Sequence, residues 1–283
     1  MAGPGIGMPE PEAPARQVNE WAQAVIVPLT WVAAVVIVVF AYRMCRRRGD
    51  WLPLATVAAA AINSLNEALF DKLFHLYWYR PGQWTLFESY GYPQPVWVMS
   101  AYVIYFCVPG LFILHMLTTK GASREFVFKA ALATAVWGTV FESIAIKIGL
   151  YTYFGAHPFR LLGDYPFWLG EMEAAHIAIW AMLLAAFAPL LTGSRALFAI
   201  PAFALSFCTV MYGAGGMGLA AINVSDPSTP LVYLGALGSL AMAALMVRVV
   251  ASLHPSERTS TSPVSFPTPA TLQKEHPRCT SPT

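Results

Sequence analysis

Seven apolar runs alternate with short polar segments along the chain. Each run can cross about 30 Å of hydrocarbon, a distance that takes roughly 20 helical residues. The pattern therefore predicts an all-α polytopic membrane protein with seven transmembrane helices. The predicted spans are 24–42, 51–80, 96–117, 126–150, 165–191, the run between Arg195 and Tyr212, and 231–253.

Basic residues lie at one end of successive runs. The first run stops at the arginine-rich segment 43–48, the third is followed by two basic residues in 119–126, and Arg195 follows the fifth. Loops rich in lysine and arginine stay on the cytoplasmic side of a membrane. The charge pattern thus predicts that the N-terminus lies outside and the C-terminus inside.

Composition supports a membrane protein and limits its partners. Of the 283 residues, 57% are hydrophobic and 11% are charged, with a net charge of +2. Soluble domains carry about 25% charged residues. We expect a multi-pass protein of the cell membrane, with the lipid bilayer as its surroundings and no nucleic acid as partner. The predicted domains are a flexible segment at 1–20, the helical domain at 21–253, and a Ser/Thr/Pro-rich disordered cytoplasmic tail at 254–283.

Polar residues interrupt the second run at regular intervals. Asn63, Glu67, Asp71 and His75 follow one another every fourth residue, a spacing that places side chains on one face of a helix. Ionisable groups are costly inside a membrane and commonly mark functional sites. This stripe is therefore the first candidate for a functional site.

Counting along the helices brings other acidic groups to a similar depth. Glu67 and Glu142 each lie roughly 24 Å from the inner start of their runs, at about 1.5 Å per helical residue. Glu173 lies about 12 Å from the opposite face by the same rise, and Tyr102 and Tyr212 fall near that layer. These positions predict one polar cavity, walled by the second to sixth helices, in which Asn63 lies deeper as a hydrogen-bonding support.

A purely structural alternative remains open. Polar groups inside a membrane can join helices to one another, for example Lys147 with a carboxylate, or Asp71 with Lys72. Such pairing accounts well for one residue taken alone. It accounts less well for the whole set, because the carboxylates outnumber the cations near them.

The first chemical hypothesis is acid–base catalysis on a lipid-soluble substrate. A carboxyl group surrounded by hydrocarbon favours its neutral acid form and could protonate an alkene or epoxide, giving a carbocation that aromatic faces stabilise. We predict Glu67 and Glu142 as the proton donor and base, with Asp71 and Glu173 as their catalytic partners. The predicted substrate-binding residues are His75, Tyr102, Tyr151, Trp168, His176, Trp180 and Tyr212, of which Tyr102, Tyr151, Trp168 and Trp180 would form the cation-stabilising walls.

Two other classes of function compete with this hypothesis. Glu173 and His176 have the Glu-x-x-His spacing found on helices of di-iron carboxylate proteins, and Glu67, Asp71, His75 and Glu142 could complete a metal-dependent oxidase site. A second copy of the spacing is absent from the sequence, so we favour a site without metal or other cofactor. A transporter or receptor for a small apolar ligand is also possible, since the glycines at 213–218 could break the sixth span.

A short motif adds a family resemblance. The sequence ESIAIKIGLYTY, followed by LLGDYPFWLG, contains Glu142, Gly149, Tyr151, Tyr153, Gly163 and Pro166. This arrangement resembles carotenoid-biosynthesis membrane proteins of the bacterioruberin-type hydratase family. More loosely, the chain is similar to membrane-bound terpene cyclases, which rely on acidic residues from different helices.

The resemblance implies a multi-span enzyme that adds water to, or cyclises, a long isoprenoid. It covers roughly a tenth of the chain and does not extend to the polar stripe of the second run. Together with the polar layer, it leads us to predict an integral membrane enzyme, a terpene cyclase or carotenoid hydratase-like lyase, that acts on an isoprenoid or similarly apolar lipid.

Overall fold

The computed structural model describes residues 16–162 and 165–252 of the chain. The predicted tail at 254–283, most of the predicted segment 1–20, and Gly163 lie outside these residues. The described chain is predominantly helical, which confirms the all-α membrane fold class. Its α-helices are α1 (Glu20–Arg48), α2 (Leu52–Asn63), α3 (Glu67–Phe74), α4 (Val98–Tyr102), α5 (Val108–Thr119), α6 (Arg124–Lys147), α7 (Phe167–Phe187), α8 (Ala199–Cys208), α9 (Gly216–Ile222) and α10 (Thr229–Ala251).

Six helical segments within these ranges are long and apolar enough to cross a bilayer. They are Glu20–Arg48, Val98–Thr119, Arg124–Lys147, Phe167–Leu190, Gly193–Ala214 and Thr229–Ala251. The predicted second span is also helical over much of its length, but it is interrupted. The protein is thus a polytopic membrane protein, while the count of seven spans and the orientation stay predictions.

A single 3₁₀ turn divides the second apolar run. Ser64–Asn66 separates α2 from α3, and since a 3₁₀ helix has 3.0 residues per turn instead of 3.6, it rotates the face of α3 relative to α2. The helix then ends at His75, whose backbone is left-handed with φ 56°. The prediction of one continuous stripe is therefore wrong at both ends, and only Glu67 and Asp71 share a face of α3.

Asn63 has the supporting role that its depth predicts. Its Nδ2 donates to the carbonyl of Ala59 at 2.8 Å and to that of Ile200 at 3.4 Å, while its Oδ1 accepts from Asn66 at 3.1 Å. These bonds pair polar groups at the helix break, where backbone groups would otherwise lack partners. Asn63 thereby links the start of α3 to α8.

Two π-helical turns distort other helices. Val103–Cys107 joins α4 to α5 and carries Tyr105, and Thr209–Ala214 joins α8 to α9 and carries Tyr212. A π turn is rare and frequently marks a functional site. With the 3₁₀ turn before α3, three helical segments thus have a break next to an acidic or phenolic side chain.

α7 is the central helix of the bundle. It packs against α5, α6, α8 and α10, and small buried residues such as Ala174, Ala178 and Ala181 let its neighbours approach closely. Because α7 is buried on almost every side, Glu173 lies in the interior of the protein.

Short antiparallel strands cover one end of the bundle. They are β1 (Leu76–Trp78), β2 (Thr85–Ser89), β3 (Tyr92–Pro95), β4 (Tyr151–Tyr153), β5 (Arg160–Leu161) and β6 (Tyr165–Pro166). β1 pairs with β4, β2 with β3, and β5 with β6. The backbone of Val18, next to the start of α1, donates to Pro81 in the β1–β2 loop at 3.0 Å. α1 ends at the opposite end of the bundle, where Arg48 donates to Thr118 at 2.9 Å.

Candidate functional site

Three glutamates from three helices line one small cavity below the strands. The cavity measures about 40 Å³, which is room for roughly three water molecules at 10–15 Å³ each. Glu67 comes from α3, Glu142 from α6 and Glu173 from α7. Residues far apart in the sequence therefore form a single acidic site. The other lining residues are Phe70, Leu76, Trp78, Trp97, Val98, Ala101, Tyr102, Tyr105, Phe106, Phe141, Tyr151 and Tyr153.

Glu67 and Asp71 form a pair of acids on α3. Their side chains leave the same face of the helix one turn apart, and because two neighbouring carboxylates repel each other, the pair favours a state in which one of them carries a proton. Tyr102 donates its hydroxyl to Glu67 Oε2 at 2.6 Å. The pair thus holds an exchangeable proton beside the cavity.

Asp71 is completely buried behind Glu67. Its Oδ2 accepts from Trp78 Nε1 at 2.7 Å and from Gln94 Nε2 at 2.6 Å, while its Oδ1 receives no N–H or O–H donor in the described chain. Two donors to one oxygen stabilise the carboxylate form. These donors fix the orientation of Asp71 and offset part of the cost of burying it.

Glu142 receives a hydrogen bond from β4. Tyr153 donates its hydroxyl to Glu142 Oε2 at 3.2 Å, and Tyr151 lines the same cavity as this carboxyl group. Residues 151 and 153 point to the same side of the strand because side chains alternate along it. The pairing of β4 with β1 therefore aims both phenols at Glu142.

Glu173 has two phenolic donors. Tyr105, in the first π turn, and Tyr165, in β6, both donate to Glu173 Oε2, the latter at 3.4 Å. Only 7% of Glu173 is exposed. The π turn and the β5–β6 hairpin thus supply the polar contacts of this carboxyl group.

The acidic cluster has no cationic partner among the described residues. Among residues 16–162 and 165–252, no lysine or arginine forms an ion pair with any of the four carboxyl groups, and Lys72 instead lies 5.7 Å from the ring centre of Tyr90. The pairing of Asp71 with Lys72 that the sequence allowed is therefore not formed. Several buried negative charges at close range cannot coexist without compensation, so the cluster keeps part of its carboxyl groups protonated.

The phenols of the strands remain hydrogen-bond donors at all ordinary pH values. Burial, followed by the nearby charge of Glu142 or Glu173, raises the pKa of Tyr151, Tyr153 and Tyr165 well above the usual value. Ionised phenols would lose their O–H donors and add further negative charge. The tyrosines thus donate hydrogen bonds to the carboxyl groups and add no negative charge of their own.

An aromatic wall completes the cavity. Phe70, Trp78, Trp97, Phe106 and Phe141 line it together with the tyrosines. Trp78 is held edge-on against both Trp97 and Tyr151, with ring centroids 5.4 and 4.6 Å apart. The negative faces of aromatic rings attract cations. The site therefore combines acids with surfaces that can stabilise a carbocation.

The predicted residues divide into two groups in space. Glu67, Glu142, Glu173, Tyr102 and Tyr151 line the cavity, and Asp71 supports it from behind. The predicted substrate-binding residues His75, Trp168, His176, Trp180 and Tyr212 are not among the lining residues.

His176 lies in an aromatic layer behind Phe106. Its ring is 5.6 Å from Phe106 and 4.5 Å from Phe203, its Nδ1 contacts Ser206 Oγ at 3.1 Å, and Trp180 stacks on it. Its Nε2 has no partner in the described chain. Although His176 follows Glu173 by three residues on α7, it does not join Glu173 at the cavity.

Tyr212 and Trp168 lie around Phe74 on the far side of α3. Tyr212 stacks on Phe74 with ring centroids 6.1 Å apart, and Trp168 meets Phe74 edge-on at 5.9 Å. Their polar atoms, the Tyr212 hydroxyl and Trp168 Nε1, lack partners within the described residues. Both side chains pack the helix that carries Glu67 and Asp71.

Sequence reasoning missed several residues that shape the site. Gln94 and Trp78 hold Asp71, and Tyr105 and Tyr165 hold Glu173. The sequence places Trp78 at the end of an apolar run, where aromatic residues commonly lie at the membrane interface, and it places Gln94 in a segment rich in Gly and Pro. Two sequence features did indicate such residues: Tyr105 lies within an apolar run, and Tyr153 lies in the motif that follows Glu142.

Two histidines form a neutral pair at the end of α3. His75 Nε2 contacts Asn223 Oδ1 at 3.0 Å, and His157 Nε2 donates to the Phe74 carbonyl at 3.0 Å. The rings lie 5.9 Å apart, and neither Nδ1 has a partner in the described residues. Burial lowers the pKa of both, and the charge of Arg160 lowers that of His157 further.

Acidification is expected to destabilise the protein through His157. Its folded-state pKa lies below the usual 6.5, so below pH 6.5 the unfolded state binds a proton that the folded state rejects, at a cost of up to about 1.36 kcal/mol per pH unit. The acidic cluster acts in the opposite direction, since it keeps protons that the unfolded chain releases, so the effect of His157 is expected as a fall in the thermal midpoint between pH 7.5 and 5.5 relative to a detergent-solubilised variant without this histidine. His157→Gln, which can still donate to Phe74, is that variant. An unchanged pH dependence in the variant would contradict this assignment.

The described residues form no metal centre of the predicted type. Within the two described ranges, no three His, Cys, Asp or Glu side chains are arranged so that they could hold a metal ion. His75 contacts Asn223, and His176 contacts Ser206. These placements separate the two histidines from the carboxyl cluster.

The acidic cluster, its tyrosine donors and its aromatic wall are properties of this chain's own geometry. The resemblance to carotenoid-biosynthesis membrane proteins rests on the short motif around Glu142. When the chain is compared with protein-family models, with curated proteins and with solved structures, none of them matches it.

Proposed function

We propose that this protein is a membrane enzyme that protonates a carbon–carbon double bond of an isoprenoid or a similarly apolar lipid, giving a cyclised or hydrated product. One observation carries the proposal. Two buried carboxyl groups, Asp71 and Glu173, and two half-buried ones, Glu67 and Glu142, meet at a cavity walled by aromatic rings, without a cationic partner among the described residues. Some carboxyl groups of such a cluster stay protonated in apolar surroundings. A neutral acid can there transfer its proton to an apolar substrate.

Glu67 is the proposed proton donor. Of the two acids on α3, Glu67 lines the cavity, whereas Asp71 lies behind it and is held by Trp78 and Gln94, so Glu67 is the acid that can reach a substrate. The O–H bond of Glu67 breaks as a C–H bond forms at the less substituted alkene carbon. The resulting tertiary cation lies among the aromatic rings, and Glu67 becomes a carboxylate.

Glu142 is the proposed base for the second half of the reaction. In hydration, a water molecule attacks the cation and passes a proton to the carboxylate of Glu142. In cyclisation, a second double bond of the substrate attacks the cation, and the carboxylate removes a proton from the neighbouring carbon. Either route returns one proton to the cluster. Transfer of that proton from Glu142 to Glu67 then restores the acid form of Glu67 and the carboxylate form of Glu142.

The size of the cavity sets a requirement on substrate entry. A volume of about 40 Å³ admits roughly three water molecules, which is less than a five-carbon isoprenoid end group needs. The substrate therefore enters only if lining side chains move aside. A long apolar substrate would reach the cavity from the bilayer, with only its end group inside.

Incubation in deuterated water tests this proposal. Purified protein in lipid vesicles is given acyclic isoprenoids of different length, such as squalene and lycopene, and the products are analysed by mass spectrometry. Protonation should place one deuterium on carbon for each turnover. Hydration adds the mass of water, whereas cyclisation changes only the isotope content. Recovery of every substrate without carbon-bound deuterium would overturn the proposal.

A further inference from the structure

A second and much larger groove lies between α1 and α5. Its volume is about 760 Å³, and it shares no lining residue with the acidic cavity. Val36 and Phe40 from α1 form one wall, and Val108 and Phe112 from α5 form the other. These four side chains are 42–61% exposed, so the groove opens sideways towards the surroundings of the bundle.

The groove changes from apolar to basic along its length. Arg43, Arg47 and Arg48 line its end near the C-terminus of α1, together with His115 from α5, and its lining contains no Asp or Glu. From Val36 to Arg47 the groove follows α1 for about 16 Å, at 1.5 Å per residue. A ligand that fits both parts must have a long apolar tail and an anionic head.

Two of the three arginines are free to bind such a head. Arg48 already donates to Asp50 at 3.0 Å and to Thr118 at 2.9 Å. Arg43 and Arg47 are exposed and have no hydrogen-bond or ionic partner within the described residues. They are four residues apart on α1, so their side chains leave the same face of the helix. Guanidinium groups bind phosphate oxygens in a two-pronged manner.

We infer that this groove, hereafter the arginine groove, binds an anionic phospholipid of the bilayer. The phosphate lies between Arg43 and Arg47, and one acyl chain runs along Val36, Phe40 and Phe112. Basic pockets between transmembrane helices are known to hold anionic lipid heads. Charge complementarity selects this occupant over a zwitterionic lipid, whose own cation would face the two unpaired arginines. The inference does not depend on the proposed reaction.

Lipid binding to the full-length protein tests the inference. Native mass spectrometry of purified protein should show retention of phosphatidylglycerol in preference to phosphatidylcholine. Replacing both arginines, Arg43→Gln with Arg47→Gln, should weaken phosphatidylglycerol binding about 30-fold, at roughly five- to sixfold for each arginine contact. Arg46→Gln is the matched control, because Arg46 carries the same charge at the same helix end but does not line the groove.

Two further measurements separate a lipid site from a simple charge effect. Val108→Trp fills the apolar part of the groove without changing any charge, and it should also weaken phosphatidylglycerol binding. Soluble glycerol phosphate should not compete, because it lacks the acyl chain. The inference is overturned if Arg46→Gln weakens binding as much as the double variant, if the two lipids bind equally, or if glycerol phosphate displaces the lipid.

Discussion

Glu67→Gln and Glu142→Gln are each expected to lower product formation by about 10²- to 10⁴-fold, the usual contribution of a general acid or base. Glutamine has nearly the same shape and can still accept the hydrogen bond from Tyr102 or Tyr153. It carries no acidic proton and cannot take one up. Each variant therefore removes proton transfer and preserves the packing of the cavity. Product formation under saturating substrate, measured by mass spectrometry, is the readout.

The control for these variants lies on α7. Glu173 lines the cavity, whereas Glu171 on the same helix is half-buried and lies outside it. Glu173→Gln should reduce turnover, and Glu171→Gln should leave it within about twofold of the unchanged protein, since surface changes away from such features have small effects. Equal losses at both positions, or full turnover in both Glu67→Gln and Glu142→Gln, would show that the carboxyl cluster does not perform the reaction.

The long helices could be predicted closely from hydrophobicity. The predicted spans 126–150 and 231–253 correspond to α6 (Arg124–Lys147) and α10 (Thr229–Ala251) within a few residues. A membrane requires about 20 apolar residues for each crossing, and this strong constraint is visible in sequence. It determines the length of a helix but not its regularity.

The breaks within the helices were harder to predict from the sequence. The 3₁₀ turn before Glu67 and the π turn around Tyr105 involve no proline inside the turn, and they arise where side chains and backbone groups find tertiary partners. The glycines at 213–218 did indicate a break, and a π turn lies there. Intrinsic helix preference differs by well under 1 kcal/mol between most residues, so tertiary packing decides such distortions.

The acids of the site were easier to predict than their partners. A carboxyl group within an apolar run is conspicuous, and depth counting places Glu67, Glu142 and Glu173 in one layer. Depth does not determine rotation about the helix axis, which is why His176 was expected in the cavity but lies behind Phe106. Gln94 and Tyr165 reach the acids from strand pairings that no periodic pattern indicates.

Gly138→Ala is expected to destabilise the protein and disturb the site at the same time. Gly138 lies on α6 where the phenol of Tyr105 crosses it, and a Cβ atom there would overlap Tyr105 Oη and lie 3.0 Å from Cζ. Alanine favours helix more than glycine does, by about 1 kcal/mol, so any loss reflects the clash. Overpacking of this kind costs about 1–3 kcal/mol, and displacing Tyr105 removes a donor from Glu173.

A double-mutant cycle distinguishes the clash from a general effect on α6. In the Gly138→Ala background, Tyr105→Phe removes the overlapping hydroxyl and should recover part of the free energy of unfolding, measured in mixed detergent micelles. It should not recover turnover, because phenylalanine cannot donate to Glu173.

Gly216→Ala, where nothing lies within 4 Å of the new Cβ, should be neutral or stabilising. Additive effects of the two substitutions would contradict a direct contact, since independent sites add within about 0.3–0.5 kcal/mol. A non-additive recovery of stability without turnover would instead identify the Tyr105 hydroxyl as the group through which α6 positions Glu173.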